Sequence, residues 1–323
     1  MTFHCEAASL DDLLHQTYRH ILETGQDVTN TKGGSRETLG ASLILHEPRN
    51  RISRSESRHR AVSPLAELCW YLSGSNHSSG ITPYLQRYKD SVEADGTIHG
   101  GYGPRLFGQG PGDQIHNAIS RLRNKPSSRR VVIQLLHKED MLATYYKDIP
   151  CTNTIQYLVR EDRLHTVVSM RSNDAWLGLV HDVFAFTMLQ EIVARALGIE
   201  VGTYFHFVAS LHLYTNTIES ARAFVDEGLQ ATTEAMTPMP QGSPWDGVEQ
   251  LLLSEQHARA GTTADAVQLP SDPYWGDLAR ILVAHHLQRS GHMQEASALQ
   301  DEVRLEPFAE LLQRRTIRRM PEC

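Results

Sequence analysis

Cys151 follows Pro150 in the run IPCTNTIQY, and a thiol at the edge between a loop and a strand can face a cleft and act as a nucleophile. A lone cysteine is more often a small packed apolar residue, so the case for chemistry rests on its company. Arg129 and Arg130 lie upstream, and Arg171 opens the run RSND downstream. If these guanidinium groups converge on Cys151 they favour a thiolate, and guanidinium groups also bind phosphate through paired hydrogen bonds. About thirty residues past Cys151 the run MRSNDAWLGLVHD ends in Asp182. About thirty further on, HLY places His212 and Tyr214 on one face of a strand or its end. Upstream, Glu67 stands among Leu65, Leu68, Trp70 and Leu72, a setting for a buried and perturbed carboxylate. A carboxylate in the first turns of a helix is also favoured by the helix dipole alone.

These residues need elements to carry them. Residues 9–24 read as a helix, with Ser9 as cap, Asp11 and Asp12 at its positive end and Gly25 as its stop. The stretch 27–35 is polar and glycine-containing, and 38–45 reads as a strand. SPLAELCWYLSG begins with Ser63 as cap and Pro64 at the first helical position. Residues 74–112, rich in glycine and turn formers, are expected to form a long, partly ordered connection. A helix at 113–124 leads to RRVVIQLLH, a β-branched strand from Arg129. Residues 154–159 and 164–170 flank the polar turn REDR as a hairpin. DVFAFTMLQEIVARALG reads as a buried apolar helix and VGTYFHFVAS as a strand after it. Beyond about residue 230, TTEAMTPMPQGSPW is a break, followed by amphipathic helix with one further break near LPSDP; no internal repeat is visible. The expected class is α/β, with a catalytic domain over 1–230 and a helical C-terminal extension over 231–323 packed on the same domain.

Composition narrows the function classes. A chain of 323 residues, 40% hydrophobic and 21% charged, can bury a sizeable core. No apolar run nears the roughly 20 residues of a membrane span, and MTFHCEAASLDD lacks a basic stretch followed by an apolar one. The expected compartment is the cytoplasm, with no membrane partner. A net charge of -7 argues against polymeric nucleic acid, while a local arginine cluster leaves a mononucleotide open. Cys5, Cys69, Cys151 and Cys323 form no CxxC pair and the 17 histidines show no HExxH spacing, so no metal is expected. Scarce lysine beside abundant arginine fits a GC-rich genome.

Arg129-Arg130, Pro150-Cys151, Arg171-Ser172-x-Asp174, Leu177-Gly178-Leu179 and His212-x-Tyr214 follow in the order, and near the spacing, of the active-site motifs of thymidylate synthases, which this chain resembles. Each motif is short, but five in register over roughly 129–214 are a specific signal. SRETLGASLIL resembles the family's early arginine loop and the strand after it. AELCWYLSGSN resembles its helix with a functional glutamate, and GGYGPRL the segment with a tyrosine near the cysteine. The likeness covers about residues 10–220; the C-terminal hundred residues match nothing in the family. It implies a mixed sheet with flanking helices and a symmetric homodimer formed through the sheet. Cys151 would then add to C6 of a pyrimidine nucleotide, with Glu67 supporting water and proton transfers near base and folate, and Tyr102 beside the cysteine. Arg36, Arg171 and Ser172 would hold the phosphate, joined by Arg129 and Arg130 of the neighbouring subunit. His212 and Tyr214 would hold the sugar hydroxyl, Asp174 the pterin of 5,10-methylenetetrahydrofolate, and Asp182 would read the base.

At that last position the family usually carries Asn. Uracil offers O4 as acceptor and N3–H as donor, which an amide satisfies; cytosine offers a 4-amino donor and a bare N3. A carboxylate accepts from the amino group and stabilises a protonated N3, but meets O4 badly, at about 1–3 kcal/mol for an unpaired buried contact. Asp182 thus resembles the deoxycytidylate and cytidylate hydroxymethylases of the family, although Asp also suits the cap of a helix starting there. Other departures agree: YLQRYKDSVEADGTIHGGYG lacks the family's tryptophans, RRTIRRMPEC replaces its short apolar closing tail, and Met170 its usual Gln. A wetter site would let water, rather than hydride, complete the reaction. The expected product is therefore a 5-hydroxymethyl nucleotide from CMP or dCMP, with CMP favoured as a feed for antibiotic biosynthesis. The alternatives are a thymidylate synthase acting on dUMP and a non-catalytic nucleotide-binding relative.

Overall fold

The computed structural model of the protein describes residues 2–30, 33–55, 62–142, 146–230, 235–261, 263 and 266–312. In chain order the elements are β1 (His4–Ala7), α1 (Leu10–Thr24), β2 (Gln26–Asn30), β3 (Gly33–Leu45), α2 (Val62–Leu72), α3 (Gly103–Leu106), α4 (Gln114–Asn124), β4 (Val132–Gln134), α5 (Lys138–Leu142), β5 (Thr152–Arg160), β6 (Arg163–Asp174), α6 (Gly178–Leu197), β7 (Glu200–Tyr214), α7 (Ile218–Glu227), α8 (Trp245–Arg259), α9 (Pro273–Arg289) and α10 (Met293–Asp301). The Ser9 hydroxyl accepts from the Asp12 amide (3.1 Å) and starts α1 as its composition requires. Gly25 ends that helix without a left-handed turn, at φ -62°. A Cβ there would lie 2.5 Å from the Ile21 carbonyl oxygen, so close approach is what demands glycine.

The strands form a seven-stranded mixed sheet in the order β1-β3-β7-β6-β5-β4, with β2 also paired to β3. β1 with β3 and β6 with β7 run parallel; the other pairs are antiparallel. Burial alternates along β6 and β7, so that Leu164, Thr166, Val168 and Met170, and Tyr204, His206 and Val208, lie inward. Phe207 (40% exposed) and Val132 (49% exposed) lie on the opposite, open face. α6 is buried along nearly all its length. Its Glu191 accepts from Arg49 Nε (2.6 Å), from Arg51 and from the Met239 amide (3.0 Å), a buried ion cluster that pins the helix on which Asp182 rides.

Several elements depart from the sequence expectation. The strand expected over 38–45 begins earlier, at Gly33, and pairs there with β2: Asp27 lies opposite Arg36 and Val28 opposite Ser35. Residues 74–112 are not loosely ordered. Ile81, Leu85, Ile98, Tyr102 and Leu106 are buried, and these apolar anchors fix the turns between them. RRVVIQLLH yields only the short edge strand β4. β5 is irregular between Thr152 and Thr154, and the Leu135 and Leu136 amides both turn to the Asn153 carbonyl (2.9 and 3.2 Å). Asp182 does not cap α6, which starts a full turn earlier at Gly178. No side chain caps that start, where Leu177 is the N-cap residue; Asp174 Oδ1 instead holds the turn before it, accepting from the Trp176 and Leu177 amides (2.9 and 3.2 Å).

The C-terminal helices share the core of the sheet domain. Leu251, Trp275 and Leu278 belong to the same apolar cluster as Leu65 and Leu68, and Phe308 meets Phe184 edge-on at 6.4 Å. Tyr84 donates to Glu255 Oε1 (2.8 Å) and pairs with His286, and Arg289 donates to the Pro83 carbonyl (2.6 Å). Residues 231–234 of the Pro/Ser/Thr-rich break and the terminal RRTIRRMPEC, with Cys323, lie outside the described residues. Among the described residues no helix is long and apolar enough to cross a membrane.

Candidate active site

Cys151 stands just before β5, half-buried, and Arg171 on the neighbouring β6 wraps the loop that delivers it. The Arg171 amide donates to the Cys151 carbonyl (2.9 Å), Nε to the Pro150 carbonyl (2.9 Å) and Nη2 to the Ile149 carbonyl (3.1 Å), with Nη2 at 3.7 Å from Cys151 Sγ. The residue after the cysteine is clamped from the other side. Tyr102 Oη accepts from the Thr152 amide (3.1 Å) and shares a hydrogen bond with its hydroxyl (2.9 Å). Burial and the nearby charges of Asp182 and Cys151 push the Tyr102 phenol well above its ordinary range, which keeps it neutral.

Two buried acids, Glu67 and Asp182, lie close enough to feel each other's charge. Glu67 on α2 is 2% exposed; Tyr71 (3.2 Å) and Tyr88 donate to its Oε1, while Oε2 has no hydrogen-bond partner among the described residues and lies 3.9 Å from Arg87. Asp182 on α6 is 9% exposed and accepts from Asn173 Nδ2 (2.7 Å). Burial, and then the Glu67 charge, push the Asp182 carboxyl up to about 7. The unfolded carboxyl titrates near 3.8, so between these values the unfolded chain has released a proton that the folded chain retains. The Asp182 contribution therefore lowers stability as pH rises from about 4 to about 7 and is flat above. Asp182→Asn should remove that slope and, on the order of 4 kcal/mol at most, stabilise the fold above pH 7 relative to the parent. Urea titrations of both proteins at pH 5 and 8 measure it; equal pH dependence would show that Asp182 is charged and paired throughout.

β6 and β7 bring the remaining residues to one end of the sheet. Ser172 pairs with Ser210 and Asp174 with His212, and Tyr214 meets His212 edge-on at 4.9 Å. His212 is 5% exposed, and neither ring nitrogen finds a partner among the described residues, so the site holds an unused polar group next to Tyr214. Arg36 pairs with Leu213 across β3 and β7, but its guanidinium is partly engaged by the Leu22 carbonyl (2.7 Å) and Asp27 (3.3 Å). Arg129 and Arg130 do not join this chain's own site. Both are exposed, and Gln156, which holds the Arg129 carbonyl (3.0 Å), lies roughly 17 Å along β5 from Cys151.

Several residues to which the sequence reading gives no role also build this site: Tyr71, Arg87, Tyr88, Thr152, Asn173, Tyr204 and His206. The segment without tryptophans supplies Arg87 and Tyr88 to Glu67, a replacement visible in the sequence only as an aromatic and a base at adjacent positions. His206 carried a plainer signal, since strand alternation puts a histidine between Tyr204 and Val208 on the inward face.

The sequence model described as thymidylate synthase matches residues 14–239, and the chain belongs to the thymidylate synthase family. Among its relatives are the thymidylate synthase of Bacillus phage phi3T, 33% identical over 136 residues (40% of this chain and 48% of that protein), and the deoxyuridylate hydroxymethyltransferase of Pseudomonas phage M6, 29% identical over 178 residues (54% and 51%). The chain thus spans about half the length of these relatives. The fold is similar to that of the thermostable thymidylate synthase A of Bacillus subtilis, with TM-score 0.59 at 23% identity over 71% of this chain and 87% of that one.

Proposed function

We propose that the protein is a folate-dependent pyrimidine-nucleotide C5-hydroxymethyltransferase that converts CMP or dCMP, 5,10-methylenetetrahydrofolate and water into the 5-hydroxymethyl nucleotide and tetrahydrofolate. The observation that carries this reading is Asp182: a buried carboxyl beside Glu67, holding its proton to about neutral pH. A carboxyl that keeps its proton can give it to N3 while its other oxygen accepts from the 4-amino group, so the cytosine edge is matched without a net charge being buried. Cys151 is the nucleophile; the guanidinium at 3.7 Å supports its thiolate, which adds to C6 and makes C5 enamine-like. Tyr102 and Thr152 keep the sulfur in place during that addition. Arg171 and Ser172, with Arg36, are assigned to the phosphate, and the unpartnered His212 with Tyr214 to the sugar hydroxyl.

Bound folate would supply a one-carbon unit at the oxidation level of formaldehyde, and Asp174 and Glu67 are assigned to hold it. The unpartnered Glu67 Oε2 fits a group arriving there, because a buried acceptor left empty is costly. The open sheet face, with Phe207 and Val132 exposed, and the remote Arg129 and Arg130 support a homodimer in which these arginines complete the neighbouring site. Residues 231–323 are then an extension of the same domain. The phage M6 relative is named for hydroxymethylation of deoxyuridylate, which supports the hydroxymethyl product rather than the cytosine base; the relatives named thymidylate synthase favour methylation of dUMP as the second reading. Incubation with methylenetetrahydrofolate and each of CMP, dCMP and dUMP, followed by mass spectrometry, separates them. A hydroxymethyl gain on a cytosine nucleotide is expected. Methylated dUMP with dihydrofolate would establish the second reading, and binding without turnover a non-catalytic relative.

A further inference from the structure

A carboxyl alone is a poor discriminator between cytosine and uracil. Its two oxygens are chemically equivalent, and moving its proton from one to the other exchanges an acceptor–donor pattern for a donor–acceptor pattern. The first pattern suits the 4-amino group and N3 of cytosine, the second O4 and N3–H of uracil. Selectivity requires something that makes the two oxygens different.

Behind Asp182 lies a row of buried polar side chains that does so. Tyr204 Oη is 2.8 Å from His206 Nδ1, His206 Nε2 is 3.1 Å from Asn173 Oδ1, and Asn173 Nδ2 donates to Asp182 Oδ2 at 2.7 Å. All three residues are almost wholly buried. Burial pushes the His206 imidazole down to about 3, so it is neutral and has one N–H and one bare nitrogen. The phenol can donate to Nδ1, which leaves the proton on Nε2 and aims it at the amide oxygen of Asn173. The amide cannot then turn, and its NH2 group faces Asp182. Every donor in the row points the same way and ends on a single oxygen. Gly178 protects the last contact: a Cβ there would lie 2.9 Å from Asn173 Nδ2 and 3.4 Å from Asp182 Oδ2. A row of polar groups in a core gives little stability over apolar packing, so its polarity calls for another reason.

We propose that Asn173, oriented by His206 and Tyr204, is the positioning residue that gives the site its choice of base: it makes Asp182 Oδ2 a permanent acceptor, opposite the 4-amino group, and leaves Oδ1 to carry the proton toward N3. This rests on the cytosine reading above for which base is chosen, but not for the existence of the device. Asn173→Ala and His206→Phe free the carboxyl to use either pattern, whereas His206→Gln keeps an N–H donor toward Asn173. Calorimetric affinities of CMP, dCMP, UMP and dUMP for the intact protein and these variants test it. The cytosine-to-uracil affinity ratio should fall at least about tenfold in Asn173→Ala and His206→Phe, and recover in His206→Gln. An unchanged ratio in folded Asn173→Ala and His206→Phe would overturn the proposal. If the parent prefers uracil, the cytosine reading fails, while the device still stands or falls on whether the variants move the ratio. Should those variants not fold, nitrogen NMR of the parent labelled in histidine, with His206→Gln identifying the signal, decides it: Nε2–H is expected, and a proton on Nδ1 would refute the row.

Discussion

Cys151→Ala should reduce turnover by at least about 10⁴-fold while nucleotide affinity changes by no more than a few-fold. The asymmetry follows from how the loop is built. Arg171 is held by the Pro150 and Ile149 carbonyls and by the backbone of residue 151, none of which depends on the sulfur. Thr152 is held by Tyr102 in the same way. Removing the thiol therefore deletes the addition to C6 and leaves the phosphate and sugar contacts in place. Single-turnover product formation and calorimetric affinity, measured on one preparation, give the two halves of the prediction. Retained turnover would place the nucleophile elsewhere, and a parallel loss of affinity would mean that the loop had collapsed.

The second expected result concerns Asp182 and its neighbour together. Asp182→Asn alone should keep a preference for cytosine, because Asn173 still donates and so turns the new amide with its oxygen toward Nδ2 and its NH2 toward N3. The double variant Asp182→Asn with Asn173→Ala releases that amide, which can then present NH2 to O4 and its oxygen to N3–H. Two mispaired contacts at about 1–3 kcal/mol each exchange sides, so the cytosine-to-uracil ratio should swing by roughly 10² or more, toward uracil. The single changes should not sum to this swing, since the two side chains touch. Ratios of kcat/KM or of affinity for dCMP and dUMP across the four proteins measure it. Full reversal by Asp182→Asn alone would show that the residue at 182 chooses without help.

Cys151, Arg171, Asp182 and Glu67 stand out in the sequence because each is a chemically costly residue in an unusual setting. α1 and α6 were legible because capping and apolar length are local properties. What could not be read is what depends on distant pairing. Asp182 could pass for a helix cap because nothing local says that the helix starts at Gly178. Asn173 lies inside a motif, but its value comes from His206, thirty-three residues away and on another strand. The ordered path of residues 74–112 was hidden for the same reason: its anchors pack on helices far along the chain.

That packing bears on how freely this protein can change. The segment that sets Arg87 and Tyr88 over Glu67 is tied at Tyr84 and Pro83 to α8 and α9, and α2 rests its back on the same two helices. The C-terminal helices are therefore no detachable module that a lineage could trade or shed without touching the acid centre. A substitution that shifts α9 would reach Glu67 through these ties, so changes in the two stretches are expected to be coupled.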